Sequence, residues 1–563
     1  MFHYVMKNCF LVTFISASLN PMVDESKRFR YQNPHKKHQN NMTTLHPDSI
    51  NTKTGWMSRL VTQFSKLPPV IICIIGTISG AIGVTSFSPF HFWPGYFVSL
   101  VVFSLLVITS PTAKTSFWRG SSVALGFFGA GVSWVYVSIA EYGQVGTVIA
   151  ALITLAFVVV LCAFWALSAW ASWHLIHRFS QLPASVWITL ALLIGEFARS
   201  TLFTGFPWLL PGYAIENTWL FELLPIGGIW LTSAVVVLTS SAIACVLSNK
   251  PAQLSLISVL FIIWGSAAYL AYFPVSWVQQ TGTLKTTLIQ GNVKQDEKWL
   301  PQTARESLAY YQQTTIDHLD SELVVWPETA ITYTYSQMKP YFSSFSKELA
   351  DTNTTLITGI PDVSPDKKDY YNAIWATGDG FGLYYKRRLV PFGEYIPFSE
   401  YIGPILDVFG MPMSSFKSGD ENQPVLQVGE WGVAPFICYE IVYAEQVRRM
   451  VRDSDFLITI SNDGWFGTSF GPWQHLQIAK FRAKEAGRYV IRATNTGITA
   501  FINEKGEVVA QAPQFERTTL TADAKAFSGV TPYVYWGYWP TLLLLLLCVA
   551  FSYLNGLVKK RTP

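Results

Sequence analysis

Three side chains in the C-terminal half of the chain have the types and settings needed for nucleophilic catalysis. Glu328 follows Val324-Val325-Trp326-Pro327, Lys386 follows Leu383-Tyr384-Tyr385, and Cys438 follows Ala434-Pro435-Phe436-Ile437. Each closes an apolar, strand-like run, and residues at strand ends on one sheet edge can converge on a single site. Together they supply a base, an electrostatic stabiliser and a nucleophile. A free thiol is only a few per cent ionised at neutral pH, and a neighbouring ammonium and proton acceptor raise that fraction. Burial raises the proton affinity a carboxylate needs as a base, while a nearby lysine opposes that rise. Any one of the three reads alone as an ordinary strand-end residue; the combination reads as a site. A Cys-His pair is the alternative, with His475 nearest and His318 second, but no carboxylate in the sequence obviously orients His475.

The elements that would position these residues alternate. Leu284 to Gln290, Leu323 to Trp326, Thr355 to Ile360, Tyr370 to Ala376, Gly382 to Lys386, Val433 to Ile437 and Phe456 to Ile460 read as strands, with further short strands between Tyr489 and Gln511. Thr303 to Leu319, Met338 to Ala350, Ile441 to Val451 and Trp473 to Gly487 read as helices. Such alternation predicts a layered α/β domain with a buried sheet. Cys438 is the only cysteine there, so it has no local disulfide partner, and the six cysteines show no CxxC and no metal-ligand spacing.

The rest of the chain has another character. Of its 563 residues 50% are hydrophobic and only 13% charged, against roughly 25% charged in a soluble domain. The formal net charge of +4 is too small and dispersed to suggest nucleic acid. From Pro68 to Phe273 the only charged residues are Lys114, Arg119, Glu141, Arg178, Glu196, Arg199, Glu216, Glu222 and Lys250. This predicts spans near Val70 to Phe87, Pro94 to Thr109, Ser121 to Ala140, Val145 to Trp173, Val186 to Phe203, Ile226 to Leu247 and Leu254 to Phe273. An eighth lies near Trp539 to Leu554.

Threaded from a cytoplasmic N-terminus, the loops with Lys114 and Arg119, Arg178 and Lys250 fall inside, as does the Lys559-Lys560-Arg561 tail; Arg199 is the exception. The expected organisation is a cytoplasmic, disordered extension over 1–66, a seven-span domain over 67–273, a catalytic domain over 274–535 outside the cytoplasm, a last span over 536–558 and a cytoplasmic tail over 559–563.

Two features between the spans stand out. Glu196 and Arg199, three apart, read as a buried structural pair or as pathway charges. The run Gly205-Phe206-Pro207-Trp208-Leu209-Leu210-Pro211-Gly212-Tyr213 cannot be a regular helix and reads as a re-entrant or interfacial loop at headgroup depth. In the catalytic domain, the apolar segment Phe398 to Phe416 and the glycine-flanked aromatics Gly464 to Trp473 read as loops that dip into lipid or cover the site.

Trp326-Pro327-Glu328, Tyr385-Lys386-Arg387-Arg388-Leu389-Val390-Pro391-Phe392-Gly393-Glu394 and Ile437-Cys438-Tyr439-Glu440 resemble the Glu, Lys and Cys motifs of the nitrilase (carbon-nitrogen hydrolase) superfamily. The Leu-Val-Pro-Phe-Gly-Glu-Tyr run, Gly205 to Leu209, and a nitrilase-like domain between seven spans and one resemble the apolipoprotein N-acyltransferase family, over roughly Met57 to Val558. The N-terminal extension departs from that pattern.

The resemblance implies a nitrilase-like αββα sandwich beside a bundle of about eight spans, in a bacterial inner (plasma) membrane with the catalytic domain on the periplasmic side. It implies a phospholipid acyl donor, a diacylglyceryl apolipoprotein acceptor and a thioester on Cys438, without cofactor or metal. Glu328 would be general base and Lys386 the oxyanion stabiliser, with the Tyr439 N–H as second donor and Glu394, Glu440 and Trp299 in support. A membrane-tethered amidase would use the same three residues with water as acceptor. A transporter or receptor would not need Cys438.

Overall fold

The computed structural model describes Gln63 and residues 66–561, apart from 144, 181, 249–253, 392 and 396–415. The extension over 1–66, but for Gln63 and Lys66, and the Phe398 to Phe416 segment, but for Phe416, lie outside the described residues.

The apolar half folds as helices α1 (Pro69–Gly83), α2 (Pro94–Ile108), α3 (Ala113–Gly131), α4 (Trp134–Tyr142), α5 (Gly146–Arg178), α6 (Ala184–Thr201), α7 (Leu224–Leu247) and α8 (Leu254–Tyr272). Among the described residues, four stretches are long and apolar enough to cross a membrane: Pro69–Ser86, Gly146–Arg178, Ala184–Thr204 and Trp219–Leu247. The α3–α4 pair adds a fifth if counted as one span, and α2, Leu256–Tyr272 and Trp539–Phe551 are shorter apolar helices. On α5, Val148, Leu152, Leu155 and Val159 recur at helical spacing and are exposed, a stripe suited to hydrocarbon rather than water.

The C-terminal half contains two six-stranded sheets among its described residues. The first runs in the order β12-β1-β2-β3-β4-β5, from β1 (Gln279–Gln290), β2 (Leu323–Val325), β3 (Thr355–Val363), β4 (Tyr370–Gly378), β5 (Gly382–Tyr385) and β12 (Thr518–Ser528). The second runs β11-β10-β9-β8-β7-β6, from β6 (Leu426–Val428), β7 (Trp431–Ile437), β8 (Phe456–Ser461), β9 (Val490–Thr494), β10 (Ala500–Ile502) and β11 (Val508–Gln511).

Strand alternation explains the layering. Leu288, Leu323, Val325, Ile357, Ile374 and Tyr384 share a core with Val433 and Phe436 of the second sheet. The intervening Ile289, Val324, Leu356, Ala373 and Trp375 face the other way. There they pack under α9 (Pro301–Ile316), α10 (Tyr335–Tyr341) and α11 (Ser343–Asp351). The second sheet is covered by α12 (Ala444–Met450) and α13 (Gly471–Ala486), so the layers read α-β-β-α. The chain ends through α14 (Pro532–Trp536) and α15 (Trp539–Arg561).

Helix α13 joins the two halves by completing backbone that the membrane helices leave open. Instead of the single span expected over Ser121 to Ala140, α3 and α4 meet at a 53° bend. The side chain of Leu209 fills the space where a Cβ on Gly131 would sit, and Gln474 Nε2 donates to the Gly131 carbonyl at 3.2 Å. A second interruption, in α7 at Gly228 (φ +63°), leaves the Ile229 N–H to donate to Glu485 Oε1 at 2.6 Å. At a third, before α2, the Ser88 N–H donates to Gln477 Oε1 at 3.2 Å. At the first two a side chain bonds to backbone where a helix is interrupted, as kinks generally require; the third lies in a turn between helices.

The region expected as one helix over Met338 to Ala350 is two, α10 and α11, meeting at Phe342 just after Pro340, where proline removes a backbone donor.

Candidate active site

Glu328 lies just beyond β2, where the Trp326 N–H still donates to the Ile357 carbonyl at 2.9 Å before Pro327 ends the ladder. Its Oε1 accepts from Asn372 Nδ2 at 2.8 Å and its Oε2 from the Asn462 N–H at 2.8 Å. One oxygen is thus held by the first sheet and the other by the end of β8 in the second. Lys386, just past β5, is buried, with Nζ 3.5 Å from Glu328 Oε1 and 2.8 Å from Glu394 Oε1. Glu394 is fixed in turn by Asn372 Nδ2 at 3.1 Å and by the Val390 N–H at 2.8 Å. Two carboxylates therefore bracket one ammonium.

Cys438 terminates β7 with φ +50°, a left-handed conformation that costs a non-glycine residue on the order of 1–3 kcal/mol. The strain is held by Glu440, which is fully buried. Its carboxylate accepts from the Ile437 N–H at 2.9 Å, the Arg387 and Arg388 N–H groups at 2.7 and 3.2 Å, the Tyr384 hydroxyl at 2.9 Å and Gln446 Nε2 at 3.0 Å. The same carboxylate thus binds the residue before Cys438 and the two after Lys386, which ties nucleophile and lysine together. A short 3-10 turn, Cys438–Val442, follows.

His475 on α13 also reaches Cys438, but at its backbone: Nε2 is 3.1 Å from the Cys438 carbonyl. A carbonyl only accepts, so Nε2 carries the proton there and is not a base for the thiol. Its Nδ1 faces Asp463 Oδ1 at 3.0 Å and Arg492 Nη2 at 3.2 Å, and Asp463 and Arg492 pair at 2.6 Å. Because C=O and N–H of a trans peptide point opposite ways, this bond also fixes the direction of the Tyr439 N–H.

Charge follows from these contacts. Burial pushes the Cys438 thiol up, the Glu328 charge adds to that, and Lys386 only partly opposes it; the resting group is a thiol, partly accessible and hydrogen-bonded with Ser461. Burial alone would lower Lys386, but Glu394 and Glu328 overcome it and hold the ammonium well above the ordinary range. Burial lowers His475, with Arg492 adding to the effect.

Residues 285–529 match the carbon-nitrogen hydrolase family, and residues 79–242 match the apolipoprotein N-acyltransferase N-terminal domain. The chain is 39% identical over 495 residues to the apolipoprotein N-acyltransferase of Pseudomonas syringae pv. tomato, covering 86% of this chain and 97% of that protein. The chain belongs to the apolipoprotein N-acyltransferase family. It is also 36% identical over 483 residues to the family member of Coxiella burnetii, covering 85% of this chain and 99% of that one. Among solved structures it resembles Saccharomyces cerevisiae Nit3, of the nitrilase superfamily, at 18% identity and a TM-score of 0.33, over 44% of this chain and 91% of that one.

In this chain the residues beneath Cys438 come from the apolar half. The loop Gly205 to Tyr213, read as re-entrant or interfacial, is buried beneath the Cys438 turn apart from the half-buried Phe206. Gly205 O accepts from the Tyr439 hydroxyl at 3.1 Å, and Thr204 O from the Tyr443 hydroxyl at 2.9 Å. Trp208 stacks on Tyr439 with centroids 6.4 Å apart, and its indole donates to Gln474 Oε1 at 2.6 Å. Glu196 and Arg199 form a buried pair, and Arg199 Nη1 donates to the Phe206 carbonyl. In this arrangement the pair serves the loop rather than a pathway.

Of the residues singled out in the sequence, Glu328, Lys386, Glu394, Cys438, Tyr439 and Glu440 come together. Trp299 does not pack with them; it is 54% exposed, the opposite of a packed indole. Its neighbour Lys298 points inward instead, its Nζ donating to the Glu328 carbonyl at 3.0 Å. Lys298, Asn462 and Asp463 left no sign in the sequence, since single polar residues in turns carry no period, nor did Asn372, a lone amide inside β4. The Gly464 to Trp473 segment, read as a loop that dips into lipid or covers the site, packs on α4: Phe466 lies against Trp134 at 4.7 Å, and Ser138 donates to the Trp465 carbonyl at 2.7 Å.

Proposed function

We propose that the chain moves an acyl group from a membrane phospholipid to the α-amine of an S-diacylglyceryl cysteine at the N-terminus of an apolipoprotein, through a thioester on Cys438. The observation that carries this is the convergence of Glu328, Lys386 and Cys438 in a chain of this family, over a floor supplied by the membrane helices. The resting thiol needs a base. Glu328 takes the Sγ proton as sulfur attacks the ester carbonyl, and the oxyanion forms toward Lys386 and the Tyr439 N–H, which lies in the first turn of a helix where N–H groups have no helical acceptor. Cleavage of the ester C–O bond releases a lysophospholipid, protonated by Glu328. The acceptor amine then attacks the thioester, gives its proton to Glu328, and leaves an amide as the thiol is restored.

The eight-span arrangement, with termini in the cytoplasm and the sandwich on the periplasmic side of a bacterial inner membrane, belongs to the same proposal. The distribution of lysine and arginine among the loops supports it. So do the three shorter apolar helices, which bring the bent pair and four long stretches to that count.

The test is mass spectrometry of the purified protein after incubation with phospholipid. A fatty-acyl adduct on Cys438, absent from Cys438→Ala, is expected. Fully active protein that never carries the adduct would overturn the mechanism. Turnover of a soluble amide without any lipid requirement would instead favour the amidase.

A further inference from the structure

A cavity of about 400 Å³ lies where the ends of the membrane helices meet the catalytic domain. Its two walls differ in chemistry. The helix side is Phe197 and Thr201 of α6 with Ile229 and Trp230 of α7, just past the break at Gly228. The domain side carries Arg387, Arg388 and Arg449 against Glu421 and Glu445, three positive charges to two negative.

Arg387 is used up by the fold, donating to the Tyr384 hydroxyl, the Glu421 carbonyl and Met450 Sδ. The other two are not. Arg388 lies over the Tyr443 ring at 5.6 Å with Glu421 no nearer than 3.5 Å, and Arg449 Nε pairs with Glu445 at 3.0 Å. A guanidinium has five N–H donors, more than these contacts use, in a fork that matches a phosphate.

On the helix side the apolar wall continues outward. Ile194, Phe197, Leu202 and Phe203 are 68%, 50%, 53% and 67% exposed, a surface that lipid chains would cover. An amphipathic ligand with one anionic group therefore fits in a single orientation, its anion at the domain and its chains along α6. The cavity also adjoins the catalytic machinery by sequence, since Arg388 is two residues past Lys386 and Tyr443 five past Cys438.

We propose that this cavity holds the headgroup of a membrane glycerophospholipid, its phosphodiester taken by Arg388 and Arg449, and that this lipid is the acyl donor. The second clause rests on the acyl-transfer reading above. The full-length protein in detergent micelles is given either phosphatidylethanolamine or a diacylglycerol with the same chains, and the Cys438 adduct is followed.

For Arg388→Gln/Arg449→Gln, and more weakly for Arg449→Gln alone, the half-saturating phosphatidylethanolamine concentration should rise about tenfold or more, because charge-assisted bonds are lost. The plateau and the diacylglycerol reaction should stay within about twofold. A half-saturation unchanged for phosphatidylethanolamine, or raised equally for diacylglycerol, overturns the proposal. A second arm is independent of acyl transfer: Cys438→Ala protein is mixed with a dialkyl-ether phosphatidylethanolamine, which cannot donate an acyl group, and bound lipid is counted by native mass spectrometry. Loss of bound lipid in the arginine variant supports the site even if no adduct ever forms. Undiminished binding overturns it.

Discussion

The two sides of the candidate site are built in different ways. The Glu328 side is polar and largely internal to the catalytic domain: an ammonium bracketed by two carboxylates, with Asn372 and Asn462 filling the remaining acceptors. The Cys438 side is a strained turn resting on groups far away in sequence, with Tyr439 and Tyr443 bonded to backbone at 204–205 and His475 at its carbonyl. The contacts of the first side lie within the catalytic domain, whereas those of the second reach the loop at 204–205. On the proposed mechanism, proton transfer would draw on the domain and the geometry of attack on the whole chain.

The largest effects should come from the reacting groups. Cys438→Ala should abolish the acyl adduct, and Glu328→Gln should slow its formation by about 10²–10⁴-fold, the usual worth of a positioned base. His475→Ala, which removes the bond to the Cys438 carbonyl together with the contacts to Asp463 and Arg492, should cost less, about tenfold. If single-turnover acylation falls further for His475→Ala than for Glu328→Gln, the assignment of the base is wrong.

Next in size is the floor. A Cβ at Gly205 (φ +80°) would lie 2.0 Å from the Ser200 carbonyl oxygen, so Gly205→Ala should cost about 1–3 kcal/mol. It should also slow acylation, since Gly205 supports the Tyr439 hydroxyl. A variant with lowered thermal midpoint but wild-type acylation would show the two sides to be independent.

Lys298 probes the Glu328 side through pH. Burial lowers its pKa from 10.5 to about 8, with Glu328 partly opposing. Between those values the unfolded chain binds a proton the folded one lacks, so this group raises stability as pH increases through that window. Lys298→Met should flatten the rise in thermal midpoint over the same range; an unaltered slope would exclude Lys298 as its source. Smallest of all, Trp299→Ala should leave stability within about 0.5 kcal/mol, as for exposed positions generally. Lost acylation at unchanged stability would mean that the indole meets substrate.

How much of this could be read in advance follows the same division. Glu328, Lys386 and Cys438 were legible because each ends an apolar run, and their neighbours Glu394 and Glu440 lie in recognisable strings. The strands β1, β3, β4, β7 and β8 were legible from their periods. Strand β12, Thr518–Ser528, was not, because two of its three buried positions are the small residues Ala524 and Ala526, which carry little β preference, and the third, Phe527, adjoins Ala526 and breaks the alternation. The bend at Gly131 and the burial of Gly205 to Tyr213 were hidden for another reason. Each depends on contacts between segments remote in the chain, such as Gln474 with Gly131, and local composition holds no record of them.

The placement of α13 has a consequence for biogenesis. Its Gln474 closes the backbone at Gly131 from 343 residues further along the chain. At about 5–20 residues per second of synthesis, the apolar helices spend some tens of seconds inserted before the residue that completes them has been made. During that interval the open carbonyl at Gly131 and the N–H groups of Ser88 and Ile229 must find water or another partner. The backbone of the apolar helices that precede the sandwich is therefore completed only once α13 has been made and docked, and a truncation removing α13 should leave those three groups open.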